Sequence, residues 1–232
     1  MSLRYCQFCP VAKAAEILGE RWTILILREL LLGATRYSEL QRGLAQISPT
    51  LLTRRLQQLQ DQGLIVRKDG GRSGRVEYRL APAGRELLPV VMGLGKWGMR
   101  WARGQMSDDE LDVQLLMADY TRRIDADALP DGRTVVQFSF PGLPRFAHWW
   151  IVVEGGKREL CVTNPARKVD LQIKADLRTM VEVWAGDLPM RAARADGRVQ
   201  VSGDPLLART LTSWLRGGIF AGVRPALAAT RR

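Results

Sequence analysis

Apolar residues recur at helical spacing through the first hundred residues, then give way to short alternating runs. In VAKAAEIL, Val11, Ala14, Ala15 and Leu18 share one helical face, and Gly19 ends the run. ERWTILILREL repeats the pattern with Trp22, Leu25, Ile26 and Leu30, and Gly33 closes it as a C-terminal glycine commonly does. TRYSELQRGL predicts a short helix with Tyr37, Leu40 and Leu44 inward. In ISPTLLTRRLQQLQDQGL, Ser48 suits an N-cap and Pro49 the first helical position. Leu52, Leu56 and Leu59 fall at i, i+4 and i+7 and face a core. The opposite face carries Thr50, Arg54, Gln57, Gln58 and Asp61, with Thr53 on the flank, and Gly63 stops the helix. LIVRKD and RVEYRL then alternate, or nearly so, around GGRSG, which predicts a β-hairpin with a glycine-rich, arginine-bearing tip.

Pro82 opens a further helix, with a kink or break expected at Pro89. Leu87, Leu88, Val91, Leu94, Trp97 and Trp101 give it a broad apolar side that needs a partner, either a second domain or a second subunit. GQMSDDE is a polar break, and it divides the chain into domains at 1–104 and 105–232. Residues 110–125 look helical. Four strands follow, RTVVQFSF, FAHWWIVV, RELCVTN and VDLQIKA, separated by the turn signals PGLPR, EGGK and NPARK. A helix at 176–185, a last strand VQVSG and a helix from DPLLARTLTSWL complete the pattern. Helices on both sides of a run of strands predict an α+β domain with a mostly antiparallel sheet.

The order of the first domain, helix, helix, short helix, capped helix, hairpin, is that of a winged helix-turn-helix. Charge adds to this. Residues 1–104 hold 17 Lys and Arg against 8 Asp and Glu, a net +9, whereas the rest of the chain is nearly balanced. A one-sided basic excess points to a polyanion. Arginine reads guanine and glutamine adenine in the major groove, and an arginine-bearing tip suits the minor groove. The competing reading is a helical core with a surface hairpin that docks protein.

No catalytic constellation is visible, and an enzyme is not expected. The single histidine, His148, lies in a strand-like aromatic run and is expected to be a partly buried strand residue. GGRSGR lacks the GK[ST] ending of a phosphate loop and precedes a strand. A zinc site needs four ligands, yet Cys161 and His148 lie far from the Cys6/Cys9 pair, so neither metal nor cofactor is expected. Three cysteines and a reducing cytosol argue against a disulfide framework. The chain has no basic-then-apolar leader and no apolar run of about 18 residues, so a cytoplasmic protein without a membrane span is expected. Phe138, Phe140, Trp149, Trp150 and Trp184 build a core or, for some of them, line a ligand cavity. Adjacent Trp149 and Trp150 must point to opposite faces of a strand.

Residues 9–98 resemble the HxlR family of bacterial transcriptional regulators, winged-helix relatives of the MarR group. The likeness rests on Cys9–Pro10, GERWT at 19–23 with Arg21 in place of the usual lysine, and RYSELQ at 36–41. It continues through Ile47 to Arg67, VEYRLAPAGRELLPV at 76–90, and LGKWG at 94–98. The resemblance implies a homodimer on double-stranded DNA, with flanking helices at the interface. It gives Ser48, Thr50, Thr53, Arg54 and Gln57 the base-reading role and Arg72 and Arg75 the wing role. Arg36 becomes a phosphate-contact candidate. It also singles out Cys9, which in some members senses oxidants or electrophiles. Reactive thiols favour helix N-termini and cationic neighbours, here Arg4 and Lys13, and Cys6 is a candidate resolving partner. The alternative is a small buried residue at the entry helix.

Residues 110–220 more loosely resemble a sterol-carrier-protein-like domain. The cues are Asp170, the 176–185 helix, Ala195 to Gly197 and Gly203–Asp204. That resemblance implies an apolar tunnel, for which Phe138, Trp149, Trp150 and Trp184 are the lining candidates. The expectation is therefore a homodimeric DNA-binding regulator, modulated by an apolar small molecule or lipid in the second domain or by oxidation at Cys9. The rival is a lipid or small-molecule carrier whose winged-helix domain mediates protein contacts.

Overall fold

The computed structural model describes residues 4–69, 75–103 and 107–226. The chain divides into two compact units, Met1–Gly95 and Lys96–Arg232. The first unit opens with α1 (Pro10–Leu18), α2 (Thr23–Leu31), α3 (Tyr37–Gly43) and α4 (Pro49–Asp61). An antiparallel hairpin of β1 (Ile65–Asp69) and β2 (Val76–Leu80) follows, with Asp69 opposite Val76 at its outer end. Then come α5 (Pro82–Arg85) and α6 (Leu88–Trp101), the helix within which the division falls. This is the winged helix-turn-helix arrangement.

Ile26, Leu27, Leu30, Leu40, Leu44, Leu52, Leu56, Leu59 and Ile65 form the buried cluster of this unit. Leu52, Leu56 and Leu59 are all inside, as the periodicity of α4 predicts. The stripe predicted for α2 is only half right. Ile26 and Leu30 are buried, but Leu25 is 38% exposed. Trp22 stands outside the helix with φ of 78°, so the turn, not the stripe, sets where α2 begins. Helix α1 buries no residue fully, and Val11 on its predicted apolar face is exposed. The helix from Pro82 breaks at Glu86 and Leu87, which places Pro89 in the first turn of α6, where a missing N–H costs nothing.

The packing of α2 on α3 depends on one glycine. Glu29 is fully buried, and Arg28 donates to its Oε1 through Nε (3.0 Å) and Nη2 (2.7 Å). A Cβ on Gly43 would lie 2.1 Å from the other carboxylate oxygen.

The second unit holds α7 (Val113–Arg123), then β3 (Arg133–Ser139), β4 (His148–Glu154), β5 (Lys157–Cys161) and β6 (Leu171–Ala175). It ends with α8 (Leu177–Ala185), α9 (Met190–Ala195), β7 (Val199–Gly203), α10 (Pro205–Arg209) and α11 (Leu211–Trp214). The sheet order is β5-β4-β3-β6-β7. All pairings are antiparallel except β3 with β6, so the sheet is mixed but mostly antiparallel, and the unit is α+β.

Two local expectations differ from the structure. Helix α9 lies in GDLPMRAARADGR, where its short apolar run gives too little periodicity to announce it. The last predicted helix is two, broken at Thr210, whose hydroxyl turns back to the Leu206 carbonyl at 2.8 Å.

The motif residues Asp170 and Gly203–Asp204 meet. The Asp170 carboxylate accepts from Val135 N (2.8 Å), and its carbonyl accepts from Asp204 N (2.8 Å). Gly203 has φ of 122°, and a Cβ there would lie 2.3 Å from the Asp170 carbonyl oxygen. These residues clasp β6 to its neighbours.

Candidate nucleic-acid interface

The exposed face of α4 is set by its caps and its core. Ser48 Oγ accepts from Leu51 N at 3.3 Å, and Pro49 follows at the first helical position. Tyr37 of α3 donates its hydroxyl to the Pro49 carbonyl at 3.0 Å, tying the two helices of the turn together. With the leucines inward, Ser48, Thr50, Thr53, Arg54 and Gln57 are all exposed, so the structure brings the five predicted base-reading residues onto one surface. They are not equally free. Thr53 Oγ1 donates to the Pro49 carbonyl (3.0 Å), and Gln57 Nε2 donates to Asp61 Oδ1 (2.8 Å). Gln57 still keeps a second amide N–H and its carbonyl oxygen for a base. Gln58, predicted on the polar face, is half-buried and accepts from Arg55.

Arg36 is exposed at the N-cap of α3. The Glu39 carboxylate takes the backbone N–H groups of Thr35 (2.8 Å) and Arg36 (3.0 Å), so the guanidinium is not what caps the helix. Tyr78 of β2 donates its N–H to the Thr35 carbonyl at 2.7 Å, which sets the wing against the start of α3. Hydrogen bonding and charge from Arg79 hold the Glu77 carboxyl below its ordinary range, and Arg36 and Lys68 add to that field. Arg36, Lys68 and Arg79 thus all lie within electrostatic reach of Glu77 on the wing. Arg75 is exposed just before β2, and Arg72 lies outside the described residues.

The arginine pair in LTRRL separates. Arg54 is outward, whereas Arg55 is buried on the inner side of α4, its Nη2 2.7 Å from Glu20. Adjacent helical residues point about 100° apart, a signal present in the sequence but hidden by treating the two as one basic run. Exposed Arg67 and Lys68 on the wing strand also escaped the sequence reading.

The other predicted sites lie apart. Cys9 is the N-cap of α1 and partly exposed, and Cys6 is exposed with φ of 52°. Phe138 and Trp149 are register partners on the core face of the sheet, both fully buried. Trp150 is buried on the opposite face, opposite Gln137 and Cys161, and its Nε1 has no hydrogen-bond partner among the described residues. Trp184 is half-buried on α8 and donates to Asp119 Oδ2. Phe138, Trp149 and Trp184 thus belong to one cluster, and Trp150 alone faces away from it. A cleft of about 310 Å³ lies elsewhere, lined by Asp127, Asp131, Thr134 and Gly155 among others. His148, expected partly buried, is exposed at the first position of β4, with Nδ1 3.1 Å from Ser139 Oγ. Strand ends have neighbours on fewer sides, so the aromatic run around His148 does not bury it.

An exposed, hydrogen-bonding helix beside a basic wing defines a winged helix-turn-helix DNA-binding protein. Comparison with known proteins agrees. Residues 17–106 match the HxlR-like helix-turn-helix family, and residues 107–216 match the SCP-2 sterol transfer family. The HTH-type transcriptional regulator YvaP of Bacillus subtilis, itself uncharacterized, is 35% identical over 97 residues, which is 41% of this chain and 90% of that protein. Rv3095 of Mycobacterium tuberculosis, another uncharacterized HTH-type regulator, is 44% identical over 89 residues, 38% of this chain and 56% of that protein. A MarR-family structure from Porphyromonas gingivalis W83 is 36% identical, covering 40% of this chain and 92% of that one, with a TM-score of 0.37. The chain belongs to the HxlR-like helix-turn-helix family of DNA-binding transcriptional regulators, with an SCP-2-like domain following.

Proposed function

We propose that the protein acts in the cytoplasm as a homodimer on operator DNA, with no catalytic step. Arg54, Thr50, Thr53, Ser48 and Gln57 read bases, and Arg36 and Arg75 hold phosphates. The observation that carries this is the outward face of α4, where Arg54 is exposed and makes no ion pair or hydrogen bond within the described residues. The dimer rests on α6. Leu88, Val90, Leu94, Trp97 and Trp101 are all exposed, the tryptophans at 61% and 54%, on a helix that buries no residue fully. A second copy of α6 is the occupant a two-fold operator reader needs.

The proposal includes modulation by an apolar ligand in the second domain, supported by the SCP-2 match, or by oxidation at Cys9, supported by its partial exposure three residues from Cys6. Selecting bound fragments from genomic DNA with the purified protein tests the operator reading. A defined sequence enriched by the wild-type protein is expected, and no enrichment overturns it. Replacing Trp97 and Trp101 together by serine should shift the mass in solution from dimer toward monomer. Oxidant-dependent operator binding that survives Cys9→Ser would remove Cys9 from the scheme.

A further inference from the structure

Arg55 is a charged residue where the helix needs none. It lies on the inner side of α4 with its side chain 7% exposed, beside the Leu52, Leu56 and Leu59 stripe. Its Nη2 is 2.7 Å from a Glu20 carboxylate oxygen, and Nη1 donates to Gln58 Oε1 at 2.7 Å. Its Nε is buried without a partner among the described residues. An apolar side chain of similar volume would avoid that loss, and replacing buried ion pairs by hydrophobes is often neutral or stabilising. Stability therefore does not account for Arg55. Geometry does.

Glu20 belongs to the turn between α1 and α2, which is fixed on both sides. Thr23 N donates to the Glu20 carbonyl at 3.0 Å, and Trp22 holds φ at 78°. A buried leucine stripe fixes which side of a helix faces the core, but dispersion contacts are not directional and resist a small rotation less sharply than a hydrogen-bonded ion pair does. A guanidinium oriented by Gln58 of its own helix and ion-paired to Glu20 of the neighbouring turn is directional, and rotation of α4 would break the Glu20 contact. On a helix of about 5–6 Å radius, a rotation of about 20° moves the outward side chains by about 2 Å. That is enough to break hydrogen bonds to base edges, which tolerate only a few tenths of an ångström. We propose that Glu20 and Arg55 set the rotational register of α4, so that Arg55 is a positioning residue for base reading, acting through the Arg54 and Gln57 face. The inference rests on the operator reading of the previous section.

The test compares wild type, Arg55→Met and Glu20→Gln on the operator fragment selected by the wild-type protein and on an unrelated duplex of equal length. Arg55→Met leaves the partly exposed Glu20 without its partner and should lower the melting temperature somewhat, so affinities are compared where both proteins are folded. The variant should lose about tenfold in operator affinity, the scale of one lost base-pair reading, while unrelated-duplex affinity changes less than about twofold. Glu20→Gln, at a partly exposed side chain, should move the ratio the same way by a smaller factor and decides the matter if Arg55→Met does not fold. Equal loss on both duplexes, or an unchanged ratio, overturns the register role. Wild-type protein that prefers no sequence overturns the operator reading and this inference with it. Wild-type selection with an unchanged variant ratio overturns the inference alone.

Discussion

Replacing Arg36 by alanine should change how DNA affinity depends on salt. The guanidinium is exposed at the N-cap of α3, and the cap itself is made by the Glu39 carboxylate on backbone N–H groups. Alanine keeps those backbone bonds, so thermal stability should stay within about 0.5 kcal/mol, as for surface changes generally. If Arg36 neutralises one phosphate, a dimer loses two contacts, and the log–log slope of affinity against salt should become shallower by about 1.8. Taking equal affinities near 1 M salt, that slope change corresponds to a loss of about 30-fold at 0.15 M and about 200-fold at 0.05 M. Fluorescence anisotropy on the selected operator and an unrelated duplex, across that salt range, measures it. The loss should be the same on both, because a phosphate contact carries no sequence information. An unchanged slope would refute the phosphate assignment. A wild-type protein whose affinity for DNA is indifferent to salt would favour the carrier reading.

Arg54→Ala should cost about 1–3 kcal/mol on the operator and relax preference at one base pair in a binding-site selection; equal loss on every sequence would place Arg54 on a phosphate instead. Gly43→Ala should destabilise the first domain by about 1–3 kcal/mol in denaturant melts despite the better helix propensity of alanine, because the new methyl meets a fully buried Glu29 carboxylate held by Arg28. Gly43→Ala melting at or above wild type would show that Glu29 can yield. Asp176 caps α8 through Thr179 N (2.8 Å) and Thr179 Oγ1 (2.6 Å), and its removal to alanine should cost about 1 kcal/mol at pH 7. Burial pushes the Asp176 carboxyl up, but the hydrogen bonds from Thr179, with Arg198 nearby, bring it below its ordinary range. A depressed carboxylate stabilises above its unfolded value, about 3.9, and the gain disappears as pH falls below that. The gap between wild type and Asp176→Ala should therefore close on acidification, and a constant gap from pH 7 to 3 would contradict it.

How much of this was legible in the sequence depended on whether one local signal could decide the matter. Ser48 and Pro49 fix the start of α4, and three leucines fix its inner face, so its outward residues were readable by elimination. Leu25 failed because the face of α2 depends on a turn in which Trp22 takes a left-handed backbone, something no periodicity encodes. Arg55 stayed hidden because its partner, Glu20, is distant in sequence and the pair is joined only by the fold. The alternation rule placed Trp149 and Trp150 on opposite faces, and that holds. It could not say that both would be buried, because burial of the second depends on what covers the outer face of the sheet. His148 is the converse, an aromatic neighbourhood without burial.

The buried aromatic cluster of the second domain bears on its proposed regulatory role. Phe138 and Trp149 face the helices as neighbours, Tyr120 stacks on Phe138 with ring centroids 5.9 Å apart, and Trp214 is fully buried in the same cluster. The Tyr120 hydroxyl donates to the Met180 carbonyl at 3.2 Å, and burial pushes its phenol far up, so it remains a donor at any working pH. An apolar ligand seated among these side chains would have to displace part of their packing, because close-packed side chains leave little room for one. Its apparent affinity is then its intrinsic affinity reduced by the small fraction of molecules already open. That penalty is what would make such a ligand informative. A molecule that fits a preformed space shifts nothing, whereas one that binds only the opened domain stabilises a different conformation by its full differential affinity. Truncating Trp149 to alanine should enlarge the open fraction and tighten binding of an apolar probe such as a short-chain fatty alcohol, while lowering domain stability by about 3–5 kcal/mol. Looser probe binding in Trp149→Ala would mean that the indole itself is part of the ligand's contact surface.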